Sequence, residues 1–426
     1  MITNLREKLK AMTTNYHSRT KTDCIDNKLD IPSGRGNLGG HIIESQWGQH
    51  VCKKSIYPMD FSYGIVSLEE IRNFSPSMVV KWARLEAAQD NFSIHDLIFL
   101  DTETTGLSSG AGTLAFLIGL GYFEDNNFVV EQHIMRDFDE ELSMLHEVAK
   151  LISNRQVLVS FNGKSFDYPL LESRMVLNRI PSYINATRDK NLHIDLLHPS
   201  RRIWASMLDS CSLTSLENNI LRYHRKDDIP GREIPNIYYQ YLQDRDEAPI
   251  LKVLEHNIKD ILAMVALFIR LSQVNQHPDK MDLNCYEWLG LAKSWENQGD
   301  DEKAIYCYLK CIEKEDNPYV TLDAKQRLAM IYKRHRQWAQ ALDIWQSIVD
   351  REGNLRISPL IEMAKYYEHQ EKNYDKALMY TDRAIKLLKD IGVNQESSVY
   401  GDNDIDTIYH RRKRLIRKRK DDAKCL

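Results

Sequence analysis

Asp101 and Glu103 stand one residue apart where an apolar run ends, in LIFLDTETTGL at 97–107. Alternate side chains of a strand share a face, so the two carboxylates point the same way. Like charges at the lip of a core repel unless a cation lies between them, and hard divalent ions take oxygen ligands of this kind. The plainer reading is a pair of acids marking the start of a loop. A two-ion site needs further carboxylates, and two downstream stretches offer them. Asp167 lies in NGKSFDYPLL, just inside a helix that follows a strand. His256 and Asp260, in EHNIKD, are spaced i,i+4 and share a helix face. On that helix Leu254, Ile258, Ile261 and Val265 form a core stripe, and Lys252, Glu255 and Lys259 a wet one. His256 and Asp260 lie on neither; they share a flank with Val253, Met264 and Leu267, where a surface ion pair is not expected.

These residues need elements to hold them. IHDLIFLDTE reads as a strand, and AFLIGLGYF, the turn EDNN and FVVEQHIMRDF read as a hairpin with a four-residue turn. EELSMLHEVAKLIS has helical spacing, QVLVSFN is a strand before a glycine, and SFDYPLLESRMVLNRI is a helix with Ser165 as its N-cap. NLHIDLLHPS is a fifth strand, SLTSLENNIL a short helix, and APILKVLEHNIKDILAMVALFIRLSQV a long one. A three-strand meander followed by strands alternating with helices predicts an α/β mixed sheet with helices on its faces. GAGTLA at 110–115 matches a relaxed dinucleotide fingerprint, but it precedes a strand rather than opening a helix, so it is set aside.

Beyond Pro278 the pattern becomes wholly helical. Ala304, Ala341 and Ala377 recur at intervals of 37 and 36, each with an upstream alanine, Ala292, Ala329 and Ala364, and an aromatic three residues after that. WLGLAKSWENQGDDEKAIYCY fits the tetratricopeptide pattern, so three helix pairs in an all-α repeat domain are expected. The tail RRKRLIRKRK, at 411–420, is either a solvated capping helix or a phosphate-binding arm. The expected division is therefore 1–93, an N-terminal extension packing on the catalytic domain; 94–275, the catalytic domain; 282–390, the repeats; and 391–426, the basic tail.

The chain has 426 residues, 42% hydrophobic and 28% charged, as in a globular protein of two or three domains. No run reaches the roughly 20 apolar residues of a membrane span, and the N-terminus lacks the apolar core of a secretory signal. A cytoplasmic protein with no membrane partner is expected. The seven cysteines include no C-x-x-C, which points to structural thiols in a reducing compartment. The net charge of −4 gives no general basic field, so a nucleic-acid partner must be met by local patches.

DTETTGL, the N-x-x-x-F-D of Asn162–Asp167 and the H-x-x-x-D of His256–Asp260 together resemble the motif set of DEDD exonucleases. HIDLLHPSRRIW, CSLTSLE, DIPGREIP and VLEHNIKD, followed by the repeats, resemble the YprB-like family of bacterial RNase H-like proteins, over roughly residues 40–390. The resemblance implies an RNase H-like fold and 3′–5′ exonuclease action on DNA or RNA with two Mg²⁺ or Mn²⁺ ions. It implies that Asp101, Glu103, Asp167 and Asp260 are the metal ligands and His256 the general base. It also implies that Thr104, Leu107, Asn162 and Phe166 shape the substrate site, with Leu107 wedged against a terminal base. Asp195 ends a strand near the site, and Arg201 and Arg202 are candidate phosphate contacts. The repeats would dock a protein partner. In one respect the chain departs from the pattern: three residues separate His256 from Asp260, where the histidine-using DEDD enzymes have four. The alternative is a nucleic-acid-binding or adaptor protein with a vestigial nuclease site; no metal carboxylate is missing, which argues for the enzyme.

Overall fold

The computed structural model describes residues 36–85, 91–106, 112–180, 192–350, 356–390 and 405–425. The strands are β1 (His41–Ser45), β2 (Gly48–Pro58), the short pair β3 (Ser62–Tyr63) and β4 (Val66–Ser67), β5 (Leu97–Thr104), β6 (Ala115–Glu124), β7 (Asn127–Ile134), β8 (Val157–Ser160) and β9 (Leu192–Asp195). Seven of them form one mixed sheet in the order β1-β2-β7-β6-β5-β8-β9. The meander β5-β6-β7 is antiparallel, and β8 and β9 join β5 in parallel.

The expected five strands are present and two more extend the sheet. Residues 41–58, read from sequence as an extension resting on the domain, form the hairpin β1–β2, and β2 pairs with the outer edge of β7. Their side chains alternate between exposed and covered along much of their length, a weaker hydrophobic signal than that of β6, which is buried at nine of its ten positions. The β6–β7 turn is tighter than the four residues expected. Asp125 and Asn126 both adopt positive φ, 44° and 63°, which permits a two-residue hairpin of the type that matches strand twist. The strand predicted over 191–200 stops at Asp195, and a helix runs from Leu197 to Trp204.

Helices cover both faces. One apolar layer joins Ile98, Leu100, Ile118 and Leu120 to the helices Glu141–Ser153 and Asp167–Leu177. The other joins Leu97, Phe99 and Phe128 to the 30-residue helix Glu247–Gln276. Only Leu97–Phe99 of β5 pair with β8, so the end carrying the acids runs past its parallel neighbour. A register shift between Glu103 and Thr104 bends the same end, a feature common beside active sites.

The C-terminal region consists of three helix pairs, Cys285–Glu296 with Asp301–Lys314, Pro318–Arg334 with Trp338–Val349, and Ser358–His369 with Tyr374–Asp390. Ala292, Ala304, Ala329, Ala341, Ala364 and Ala377 are all fully buried, where close helix approach needs small side chains. The short turn between 276 and 285 does not interrupt the core, because the apolar layer that begins at Leu97 and Phe99 continues through Trp288 and Trp295 to Ile331. Cys285–Glu296 lies so close to Leu197–Trp204 that a Cβ on Gly290 would come within 2.5 Å of the Ile203 carbonyl oxygen. Trp204 Nε1 donates to Glu287 Oε1 at 3.0 Å across the same junction. The basic tail forms a helix, Ile405–Cys425, against Tyr374–Asp390. Arg411, Arg414 and Lys418 converge on the buried carboxylate of Glu368, so much of the tail's charge is spent holding it down as a cap.

Candidate active site

Asp101 and Glu103 leave β5 on the face covered by the long helix. Asp101 is registered opposite Gly119 of β6. A Cβ there would stand 2.2 Å from Asn257 Oδ1 and 2.5 Å from Ile261 Cδ1, so the missing side chain lets the helix press against the strand. Seated this way, Asn257 Nδ2 donates to Asp101 Oδ2 at 2.7 Å. Its Oδ1 accepts from Gln132 Nε2 at 2.9 Å, which fixes the amide's orientation. His256 and Asp260, on the same stretch of helix, are brought to Glu103, and ligating atoms of the three lie within 4.8 Å of one another.

Asp167 reaches the end of β5 from the other side, where it accepts a short hydrogen bond from Thr102 Oγ1. The loop that presents it is held by Asp195, whose carboxylate accepts from the backbone N–H of Asn162 at 2.8 Å and of Lys164 at 3.2 Å. Asn162 adopts φ 62° in this turn. The helix starts at Asp167 with Phe166 at the N-cap position, one residue later than the expected Ser165 cap implied.

Burial and neighbouring carboxylates raise the pKa of Asp101 and Glu103. Burial, then the charges of Asp260, Glu103 and Asp167, push the Asp101 carboxyl well above its ordinary range. Burial, Asp260, Asp167 and Asp228 do the same to Glu103, with Arg225 working against them. Asp167 is raised by burial despite the Thr102 hydrogen bond. Such a cluster gains most from a bound cation, and its donors are all hard oxygens apart from one imidazole, a set suited to Mg²⁺ or Mn²⁺.

Residues not singled out in the sequence complete the surroundings. The guanidinium of Arg225 pairs with Asp260, with Glu217 at 2.9 Å and with Asp228 at 3.0 Å. Asp228 Oδ1 in turn lies 2.9 Å from His256 Nδ1, while His256 Nε2 faces Asp260 Oδ2 at 3.5 Å. The run RKDD, at 225–228, and the glycine inside the β6 pattern were the available signals; a lone glycine in a strand often marks close backbone approach.

The remaining candidates divide. Phe166 is 49% exposed directly beside Asp167. Thr104 Oγ1 donates to the Gly106 carbonyl at 2.7 Å, bracing the turn after β5. Arg201 is exposed. Arg202 is committed elsewhere: its guanidinium donates to the Trp82 carbonyl, and burial, then Arg84, lower its pKa to about 10. That removes Arg202 from the phosphate contacts expected of it. Leu107 lies outside the described residues.

The sheet order and the acids at the end of β5 define an RNase H-like α/β domain. Residues 98–272 match the RNase_H superfamily. Among curated proteins the chain is similar to "Uncharacterized protein YprB" of Bacillus subtilis (strain 168), 28% identical over 337 residues that cover 77% of this chain and 78% of that one. Among solved structures, the family B DNA polymerase of the hyperthermophilic archaeon Pyrobaculum calidifontis overlaps 56% of this chain at 12% identity with a TM-score of 0.31; this chain spans 29% of the polymerase's length. No described helix is long and apolar enough to cross a membrane.

Proposed function

We propose that the protein is a metal-dependent nuclease that removes nucleotides from the 3′ end of DNA or RNA. The observation that carries this reading is the convergence of Asp101, Glu103, Asp167 and Asp260 from one strand and two helices on the open end of β5, each of the first three held at raised pKa. These four would hold two Mg²⁺ or Mn²⁺ ions, which when bound lower the pKa of water and steady the oxygens of an in-line displacement. Asn257 and Thr102 keep Asp101 and Asp167 in place. His256 is the general base: Asp228 fixes its Nδ1, so its Nε2 faces the acids and can accept a proton from the attacking water. Exposed Phe166 offers a stacking surface to an unpaired base beside the acids, and Arg201 a phosphate contact. Residues 94–275 with the added strands are the catalytic unit, and the helix pairs of 282–390, read as tetratricopeptide repeats, dock a protein partner in the cytoplasm.

The test is purified protein with Mn²⁺ or Mg²⁺ on 3′- and 5′-labelled single- and double-stranded DNA and RNA. Stepwise shortening from the 3′ end is expected, lost in Asp260→Asn together with metal affinity. His256→Ala should keep metal binding and slow turnover by about 10²–10⁴-fold. Metal-dependent cleavage equal in wild type and Asp260→Asn would remove the assignment. A second reading rests on the Arg225–Asp260 pair, in which a fixed cation already balances one of the acids. Binding without cleavage under every metal would favour that nucleic-acid-binding protein with a vestigial site.

A further inference from the structure

A second group of metal-binding side chains lies on the other face of the sheet, formed by β2 and β7 in antiparallel register. Cys52 is paired with His133, and Lys54 with Glu131. Positions two apart on a strand share a face, so His50, Cys52, Glu131 and His133 all project to one side. All four are at least 96% buried. Cys52 Sγ, a Glu131 carboxylate oxygen and a His133 ring nitrogen lie within 4.8 Å of one another.

The hydrogen bonds around this group leave one imidazole nitrogen without a partner. Glu131 divides its two oxygens: Oε2 is anchored by the Tyr122 hydroxyl at 2.5 Å and the Lys54 ammonium at 3.0 Å, while Oε1 faces Cys52 Sγ at 3.3 Å and His133 Nε2 at 3.4 Å. His133 Nε2 is fully buried and has no hydrogen-bond partner. Its other nitrogen, Nδ1, sits 3.0 Å from His50 Nε2, and His50 Nδ1 sits 2.9 Å from Ser143 Oγ on the covering helix. Imidazoles that bind metals are characteristically oriented this way, with the far nitrogen tied to a fixed partner. If His133 carries its proton on Nδ1, three lone-pair donors of mixed softness, thiol, imidazole and carboxylate, face one point. A satisfied polar cluster would not leave one imidazole nitrogen unpaired beside a carboxylate.

We propose that Cys52, Glu131 and His133 bind one zinc-class divalent ion, separate from the acid cluster at the end of β5. Thiolate and imidazole donors select zinc over the magnesium or manganese suited to Asp101, Glu103, Asp167 and Asp260. Binding displaces the Cys52 thiol proton from Glu131 Oε1 to solvent, and Zn²⁺ takes its place between sulfur and oxygen. A water completes the tetrahedral shell. Lys54, whose side chain is 45% exposed, marks the path from solvent. The ion would pin β2 to β7 and so fix the two outer strands to the meander that carries the acids.

The test uses the full chain, stripped of metal and titrated with Co²⁺. One equivalent should produce thiolate-to-cobalt charge-transfer absorption that Zn²⁺ abolishes, and zinc should raise Tm. Both effects should persist in Asp101→Ala and disappear in Cys52→Ser, whose fold is checked by circular dichroism. Absence of the charge-transfer band from folded wild-type protein overturns the proposal whatever the variants do. So does a band that survives in Cys52→Ser, since it would come from another cysteine.

Discussion

The amide of Asn257 donates to the carboxylate of Asp101 at 2.7 Å, joining the long helix to the strand end where the acids gather. The same amide is held by Gln132, so a chain of three side chains on three elements sets where Asp101 points. Asn257→Leu removes both partners and leaves buried polar groups behind. It should destabilise the protein by about 1–3 kcal/mol for each group left unsatisfied, read as a lower urea midpoint with an unchanged slope.

Gly119→Ala tests the seating of that helix. The added methyl would meet Asn257 and Ile261 at a cost of about 1–3 kcal/mol in strain. Because Asp260 and His256 ride on the helix that must shift, the proposed nuclease activity should fall even when measured well below Tm, where the variant remains folded. Wild-type rates in a destabilised variant would show that the helix position does not govern the site.

Much of this geometry was legible in the sequence and some was not. Asp101, Glu103 and Asp167 announce themselves because they end or open hydrophobically patterned elements, and Asp260 because it stands with His256 on a helix flank that is neither the core stripe nor the charged one. Asn257, by contrast, is one polar residue on a helix and becomes meaningful only once Gly119 lies against it. Arg225 sits in a polar stretch, RKDD, whose spacing matches no element. Cys52 and His133 were hidden for a different reason: ligand spacings of two on separate strands resemble no C-x-x-C, and nothing local tells which strand a given cysteine will face.

Arg225 is the buried counter-charge of three acids, and Glu217 among them is fully enclosed with Tyr63 as its other partner. Arg225→Met should leave Glu217 uncompensated. A loss of about 3–5 kcal/mol follows for a broken buried pair, measurable by chemical denaturation. The double variant Arg225→Met, Glu217→Gln should recover part of it.

The capping helix should detach in acid. Burial opposes ionisation of Glu368, but hydrogen bonds from Arg414 and Lys418 and the charges of Arg414 and Arg411 bring its pKa down to about 2. A carboxyl whose folded pKa lies below the unfolded value of about 4.3 contributes stability that is complete above that value and lost as pH falls toward the folded one. Protease protection of 405–425 should therefore decline between about pH 5 and pH 2. Glu368→Gln should start lower at neutral pH and change less across the window. Identical profiles would mean that packing of Ile405, Ile408 and Leu415, rather than the ion cluster, holds the helix.

The close approach of Gly290 to the Ile203 carbonyl means that the helix pairs are not a tethered appendage. A flexible linker would let a docked partner search the space around the acids, with an effective concentration set by linker length. A stack fused through a shared core permits no such search. In the proposed docking role it would work as a fixed jig, presenting whatever it holds at one distance and one angle. A partner of the wrong length would then be held firmly and never processed, so selection among partners would be made by reach rather than by affinity.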